Sequence, residues 1–66
     1  MGRIRRGGYI FEWWTGDHPP RHVHVSDANG ELLGRVTVTD KRPLDAWIPP
    51  KKVVEIISQL EKEGRL

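Results

Sequence analysis

Hydrophobic and polar residues alternate along two neighbouring segments of the chain, and an Asn29-Gly30 dipeptide lies between them. Such alternation is typical of half-buried strands, and Asn-Gly is a preferred pair in two-residue type I′ hairpin turns. If those two residues form the loop, they determine which residues pair along the whole hairpin. The predicted pairs are Ala28–Glu31, Val25–Gly34, His24–Arg35, Val23–Val36 and His22–Thr37.

Directly opposed residues share one face of a sheet, so this register predicts an apolar face and a polar face. The apolar face carries Val23, Val25, Val36 and Val38. The polar face carries His22, His24, Arg35 and Thr37. A helix packed on the valines would leave the polar face uncovered.

Two further segments complete the predicted fold. The segment YIFEWW, residues 9–14, is rich in aromatic and β-branched residues and predicts a strand. Apolar residues at helical spacing predict a helix that has Pro50 in its first turn and stops at Gly64; they are Val53, Ile56, Ile57 and Leu60. The connector before it carries Leu44, Trp47 and Ile48, which we expect to cap the core.

The sequence therefore predicts one α+β domain over residues 1–66, with the element order β-β-β-α. Its sheet has three antiparallel strands, and the helix covers one face. Residues 1–8 are a basic, glycine-closed arm that either pairs as an edge strand or stays flexible.

The chain is short and contains no cysteine, so neither disulfides nor thiolate metal ligands support it. A domain of this size buries only about 60% of its unfolded surface. Either the core is well packed, or a bound ion or a second copy in a homodimer completes it. The chain shows no membrane-spanning run and no signal peptide, which favours the cytoplasm.

The chain carries 11 Lys and Arg against 9 Asp and Glu, and the cations are unevenly distributed. This distribution favours one basic side that binds RNA or an acidic protein, although a solvated surface is the alternative. The nucleic-acid-binding candidates are Arg5, Arg6, Arg21, Lys51 and Lys52, with Trp14 as a stacking residue and Trp13 in the core. Lys51 and Lys52 form an anion pocket at the helix start, or are surface lysines offset by a Lys51–Glu55 pair.

All three histidines lie within seven residues, at His18, His22 and His24. Two strand histidines at i and i+2 point the same way, and a third from the preceding loop would complete a three-nitrogen metal site. Zinc accepts such a set, and Asp17 would be a fourth ligand or orient a ring.

A second interpretation needs no metal cofactor. One of His22 and His24 would take a proton from a ribose 2′-hydroxyl and the other would protonate the leaving oxygen. Arg35 would hold the phosphoryl charge, with Thr37 beside it, in an endoribonuclease. The third interpretation is that the histidines are ordinary polar residues of a half-solvated sheet or contact a partner protein.

The segment GDHPPRHVHV after an aromatic strand resembles the signature of a small bacterial domain-of-unknown-function family, number 4160. The matching residues are Asp17, His18, Pro19, Pro20, His22, His24 and Val25, and the chain departs from the signature by its shifted proline pair and by Arg21. The resemblance implies a bacterial protein encoded beside a small antitoxin-like partner in a toxin–antitoxin-type arrangement. The strand histidine, the VTV strand and the late helix also look like the layout of HicA-type mRNA interferases, although the N-terminal helix of those enzymes has no counterpart here.

Overall fold

The computed structural model describes residues 2–14, 16 and 20–66 and shows four strands followed by a helix. The elements are β1 (Gly2–Arg6), β2 (Tyr9–Trp13), β3 (His22–Asp27), β4 (Leu32–Thr37) and α1 (Lys51–Lys62). The strands form one antiparallel sheet in the order β1-β2-β3-β4. The α+β class is confirmed, but the predicted three-stranded sheet is wrong because the basic arm supplies a fourth strand.

The arm becomes β1 because a two-residue turn joins it tightly to β2. Gly7 and Gly8 have φ angles of 65° and 86°, which the two central residues of a type I′ turn require. Arg6 pairs with Tyr9 on either side of this turn. The arm is therefore an edge strand, and Ile4 packs from it against the core.

The β3–β4 hairpin has the predicted register along most of its length, but its turn differs. The backbone N–H of Gly30 donates to the Asp27 carbonyl at 3.0 Å, and Asp27 and Glu31 close a three-residue loop. The Asp27 carboxylate stabilises this loop by accepting the N–H groups of Asn29 and Glu31. The predicted two-residue turn is therefore wrong.

A β-bulge restores the register that the longer loop would have shifted. Ser26 pairs with Leu32 while Val25 pairs with Gly34, so Leu33 is an extra residue on β4. Beyond the bulge the four pairs that matter for the site are confirmed: Val25–Gly34, His24–Arg35, Val23–Val36 and His22–Thr37.

The core lies between α1 and one face of the sheet. The helical stripe is buried as predicted, and it meets Phe11 together with the valines of β3 and β4; the cluster is Phe11, Val23, Val25, Val36, Val53, Ile56, Ile57 and Leu60. Val38 is also buried. The helix thus covers the valine face and leaves the histidines on the opposite side of the sheet.

The helix stops just before Gly64, as predicted, and its last residue is Lys62. Gly64 has a φ of 77°, and its N–H donates to the Glu61 carbonyl while the Arg65 N–H donates to the Leu60 carbonyl. These two bonds form a Schellman motif. In the part of the chain that the structure describes, no helix combines the length and apolar character needed to cross a bilayer.

The connector after β4 covers the outer edge of that strand. Its backbone bonds to β4 from Arg42 and Leu44, and Pro43 bridges Val36. Trp47 then packs against the core, with its indole over the Cα of Gly34. The expectation that the connector caps the core holds for Trp47, but Leu44 is exposed and Ile48 is 92% exposed.

Candidate functional site

The sheet face opposite α1, which we call the histidine face, brings together side chains from β2, β3 and β4. Across the strands Glu12 pairs with His24, which pairs with Arg35, and His22 pairs with Thr37. Side chains of directly opposed residues lie about 4.5–5.5 Å apart at Cβ. The four predicted catalytic residues therefore share one surface: His22, His24, Arg35 and Thr37.

The two imidazoles lie beside each other. Their ring centroids are 5.2 Å apart, and the planes are inclined at 49°. Both residues are half-buried rather than fully exposed. Two rings at this separation are close enough to contact the same small group, such as one phosphate.

The ring of His22 is oriented by the backbone just before β3. Its Nδ1 lies 2.9 Å from the carbonyl oxygen of Pro20. A carbonyl oxygen only accepts, so this bond puts the proton on Nδ1, and Nε2 carries the lone pair of the neutral ring. In the neutral ring, proton acceptance or metal coordination would therefore involve Nε2 rather than Nδ1.

The ring of His24 packs edge-on against an aromatic neighbour. The Trp14 and His24 centroids are 4.6 Å apart, and the planes are nearly perpendicular at 85°. Trp14 is 40% exposed, so one side of its indole remains accessible to a ligand. Trp14 therefore lies on the histidine face, next to His24.

Arg35 is held by an acidic residue that the sequence did not single out. Its Nη2 and Nε donate to the two carboxylate oxygens of Asp45 at 2.9 and 3.2 Å, and its backbone N–H also donates to Asp45. The Arg35 guanidinium lowers the pKa of the Asp45 carboxyl, chiefly through these hydrogen bonds, and the charge of His24 acts in the same direction. Asp45 therefore links Arg35 and His24 electrostatically.

Thr37 is occupied by a structural role. Its hydroxyl accepts the backbone N–H of Arg42 at 3.0 Å, and its own N–H donates to the Arg42 carbonyl. The residue is buried. The structure thus places Thr37 beside His22 but uses its hydroxyl oxygen to anchor the connector.

Glu12 and Asp45 are the acidic residues that sequence reasoning missed. Glu12 reaches the site because β2 pairs with β3 in a register that no turn signal reveals, since the loop between them is long. On its other side Glu12 forms a 3.8 Å ion pair with Arg3. Asp45 comes from an irregular connector, and only the folded chain brings it to β4. Alternation along β2 puts Glu12 on the same side as Trp14, but no pattern in the sequence would have identified Asp45.

A cleft of about 380 Å³ opens at the end of the sheet next to the histidines. We call it the terminal cleft, because it lies where β2 ends, β3 begins and the chain leaves α1. The residues lining it are Trp13, Trp14, Gly16, Arg21, His22, Val38, Arg65 and Leu66. Trp13 is half-buried and packs against the core, whereas Arg21 is exposed.

The predicted cationic residues do not form one patch. Arg5 is exposed on the histidine face, opposite Ile10. Arg6 is on the helix side, where it donates to both carboxylate oxygens of Glu63, and this contact raises the pKa of Arg6. Lys51 and Lys52 begin α1 and are exposed on that same side, and the Lys52 side chain lies near Gly7, at the end of the sheet far from His22.

The metal interpretation involves residues of the histidine face and of the loop before β3. His22 and His24 would supply two nitrogen ligands, while Asp17 and His18 lie outside the described residues. Among the residues that are described, no group of three or more His, Cys, Asp or Glu side chains is placed to hold a metal ion.

Comparisons with protein-family models, with curated proteins and with solved structures gave no match for this chain.

Proposed function

We propose that the protein binds RNA on the histidine face and cleaves it without a metal ion, with His22 and His24 as an acid–base pair. The observation that carries this proposal is the 5.2 Å separation of the two imidazoles on one accessible face. Proton transfer by a positioned pair of side chains requires that both reach the reacting phosphodiester. The short distance between the two rings supports this proposal.

In this proposal His22 acts as the base and His24 as the acid. The Pro20 carbonyl keeps the lone pair of neutral His22 on Nε2, which suits it to remove the proton of a ribose 2′-hydroxyl. His24 then serves as the acid, since it is the other ring of the pair and lies opposite Arg35. Attack of the 2′-oxygen on phosphorus would then break the bond to the 5′-oxygen, and His24 would protonate that leaving oxygen.

The products are a 2′,3′-cyclic phosphate and a free 5′-hydroxyl, so the proton taken by His22 balances the one given by His24. Arg35, opposite His24, supplies positive charge near the reacting phosphate, and Asp45 fixes its orientation. Thr37 stabilises the site by holding the connector through its hydroxyl oxygen.

RNA would approach along the sheet rather than around the helix. Arg5 and Arg21 are exposed and flank the histidine face from β1 and from the start of β3. Arg6, Lys51 and Lys52 lie on the helix side, so a strand bound to the histidines reaches them only by wrapping around the domain. We therefore assign the main phosphate contacts to Arg5 and Arg21.

We further propose that the protein acts in a bacterial toxin–antitoxin-type pair, in the cytoplasm, with a small antitoxin-like partner. This rests on the resemblance of the GDHPPRHVHV segment to domain-of-unknown-function family 4160. An antitoxin that covers the histidine face would block access of RNA to both rings, and a homodimer would need to leave that face accessible.

The test is an RNA-cleavage assay in EDTA on wild type, His22→Ala and His24→Ala. Each substitution should slow cleavage by about 10²–10⁴-fold, and the wild-type products should carry 2′,3′-cyclic phosphates. Circular dichroism of each variant checks that it is folded. A matched control is His18→Ala, because the acid–base pair does not use the third histidine. Undiminished cleavage by both strand variants would rule out the assigned roles.

The second candidate function is a non-catalytic zinc or docking module. It is favoured by the His22 Nδ1 contact with a backbone carbonyl, since zinc-ligating histidines commonly donate their second ring N–H in this way. Elemental analysis of protein purified without an affinity tag would then find stoichiometric zinc, and EDTA would lower the melting temperature. His18→Ala would reduce zinc content in this case, whereas it leaves metal-independent cleavage unchanged.

A further inference from the structure

The terminal cleft combines aromatic surface with positive charge immediately beside one of the two strand histidines. The side chains of Trp13 and Trp14 contribute the aromatic surface, and Arg21 and Arg65 contribute guanidinium groups, while His22 belongs to both the cleft and the histidine face. The volume of the terminal cleft, about 380 Å³, lies within the range of small-ligand pockets, about 300–1,000 Å³. The cleft is therefore large enough for one planar group with its attached charge.

The residues that line the terminal cleft come from distant parts of the chain. Trp13 lies flat over the Cα of Gly2, where any Cβ would come within about 2.0 Å of its indole. This glycine lets the ring pack closely on β1 while Trp14, on the opposite face of the strand, turns towards the histidines. Arg65 arrives from the Schellman turn that ends α1.

Both arginines have donors suited to an anionic ligand. Arg65 uses Nε to donate to Glu63 at 3.0 Å, and a guanidinium carries four more N–H donors on its two terminal nitrogens. Arg21 is exposed at the entrance to β3. No acidic side chain is among the described residues that line the cleft. A ligand with an aromatic ring and a phosphate complements this lining.

We infer that the terminal cleft binds one unstacked nucleotide of a single-stranded RNA, adjacent to the phosphodiester that contacts His22 and His24. The inference rests on the proposed function and adds its substrate class. An indole binds any nucleobase through its π-face, and Arg21 and Arg65 then contact the flanking phosphates. A base inside a duplex is stacked and paired, so it cannot enter the cleft without leaving the helix.

The experiment measures binding of a 2′-O-methyl RNA of about ten nucleotides, which has no 2′-hydroxyl to attack, as a single strand and in a blunt duplex. The single strand should bind at least about tenfold more tightly than the duplex. Arg21→Gln and Arg65→Gln should each weaken binding of the single strand by about fivefold and reduce the slope of log affinity against log salt by about 0.7. Lys62→Gln is the matched control, since it removes an exposed charge near the same helix end but outside the cleft.

A second measurement detects the bound nucleobase directly, by its fluorescence. A 2-aminopurine placed in turn at each position of the oligonucleotide should lose fluorescence at one position on binding, and Trp14→Leu should abolish that quenching. Trp14→Leu keeps an apolar side chain at this half-exposed position, so the domain should still fold.

The outcomes separate this inference from the proposed function. If Arg21→Gln and Arg65→Gln bind the single strand as tightly as wild type does, the cleft assignment and the phosphate contact assigned to Arg21 are overturned, while cleavage dependent on His22 and His24 is not contradicted. Duplex binding equal to or tighter than single-strand binding overturns the substrate class in the same way. If wild type binds neither RNA form, both proposals are overturned.

Discussion

At the scale of single residues, the candidate site combines histidines and an arginine with acidic side chains. The sequence placed His22, His24, Arg35 and Thr37 on one face, and the observed strand pairing confirms that placement. It did not indicate that Asp45 would hold Arg35. Orientation of a charged group by a second one is a tertiary property, because the partner comes from another segment.

The Arg35–Asp45 pair should make the fold sensitive to acid. The pKa of Asp45 is lowered below its ordinary value of 3.8, chiefly by hydrogen bonds from Arg35. A lowered pKa in the folded state means that the pair stabilises the fold above the unfolded-state pKa and that this contribution is lost as the pH falls through the folded-state pKa.

We therefore expect Asp45→Asn to lower the melting temperature at pH 7 and to have a progressively smaller effect as the pH falls below 3.8. Thermal unfolding followed by circular dichroism from pH 7 to below that value measures the difference from wild type. Asp40→Asn, which removes an exposed carboxylate from the same connector, should show no such pH-dependent difference. A penalty for Asp45→Asn that is constant over this range contradicts the assigned role of the ion pair.

At the scale of elements, local sequence signals predicted most strands and the helix but not every turn. The helical stripe and its stop at Gly64 were read correctly, because periodicity and a left-handed glycine act within one segment. The Gly7-Gly8 turn was missed as a hairpin signal, since β1 contributes little apolar surface besides Ile4. Pairing with β2 is what stabilises so polar a strand, and its own hydrophobic pattern does not reveal it.

The contact between Trp47 and Gly34 should hold the connector against the sheet. A Cβ at position 34 would lie 2.3 Å from Trp47 Nε1, the atom that donates to the Arg35 carbonyl at 3.1 Å. Gly34→Ala should therefore displace the indole and lower the free energy of unfolding by about 1–3 kcal/mol.

A double-mutant cycle with Trp47→Ala isolates this contact. In the Trp47→Ala background, Gly34→Ala should cost less than half of what it costs in wild type, because the clashing ring is absent. Urea unfolding followed by circular dichroism provides the four free energies. Equal costs in both backgrounds would show that the indole is not the reason for glycine at this position.

At the scale of the whole molecule, one small core carries the stability of the domain. The total free energy of unfolding expected for 66 residues is about 3–10 kcal/mol. Phe11 is fully buried between the sheet and α1, and it is the largest of the completely buried side chains. Its loss removes a large fraction of the contacts between the two layers.

Phe11→Ala should lower the free energy of unfolding by about 3–5 kcal/mol and leave much of the protein unfolded at 37 °C. Ile48→Ala is the control, because Ile48 is 92% exposed and its truncation should change stability by less than about 0.5 kcal/mol. Chemical denaturation of the three proteins tests both expectations. A stable Phe11→Ala protein would mean that another part of the chain, or a partner, supplies the missing stability.

The sequence by itself determined the type of most elements and the two faces of the β3–β4 hairpin, since residues alternate over short distances where chain connectivity restricts the geometry. These two faces were predicted correctly although the predicted two-residue turn was wrong, because the bulge at Leu33 restored the register that the buried valines require. Only the tertiary structure decided that β1 completes the sheet, that Glu12 lies beside His24 and Asp45 beside Arg35, and that Arg65 and Trp14 both line the terminal cleft. Those contacts join residues far apart in the chain, and their positions depend on how whole elements pack, which no local pattern encodes.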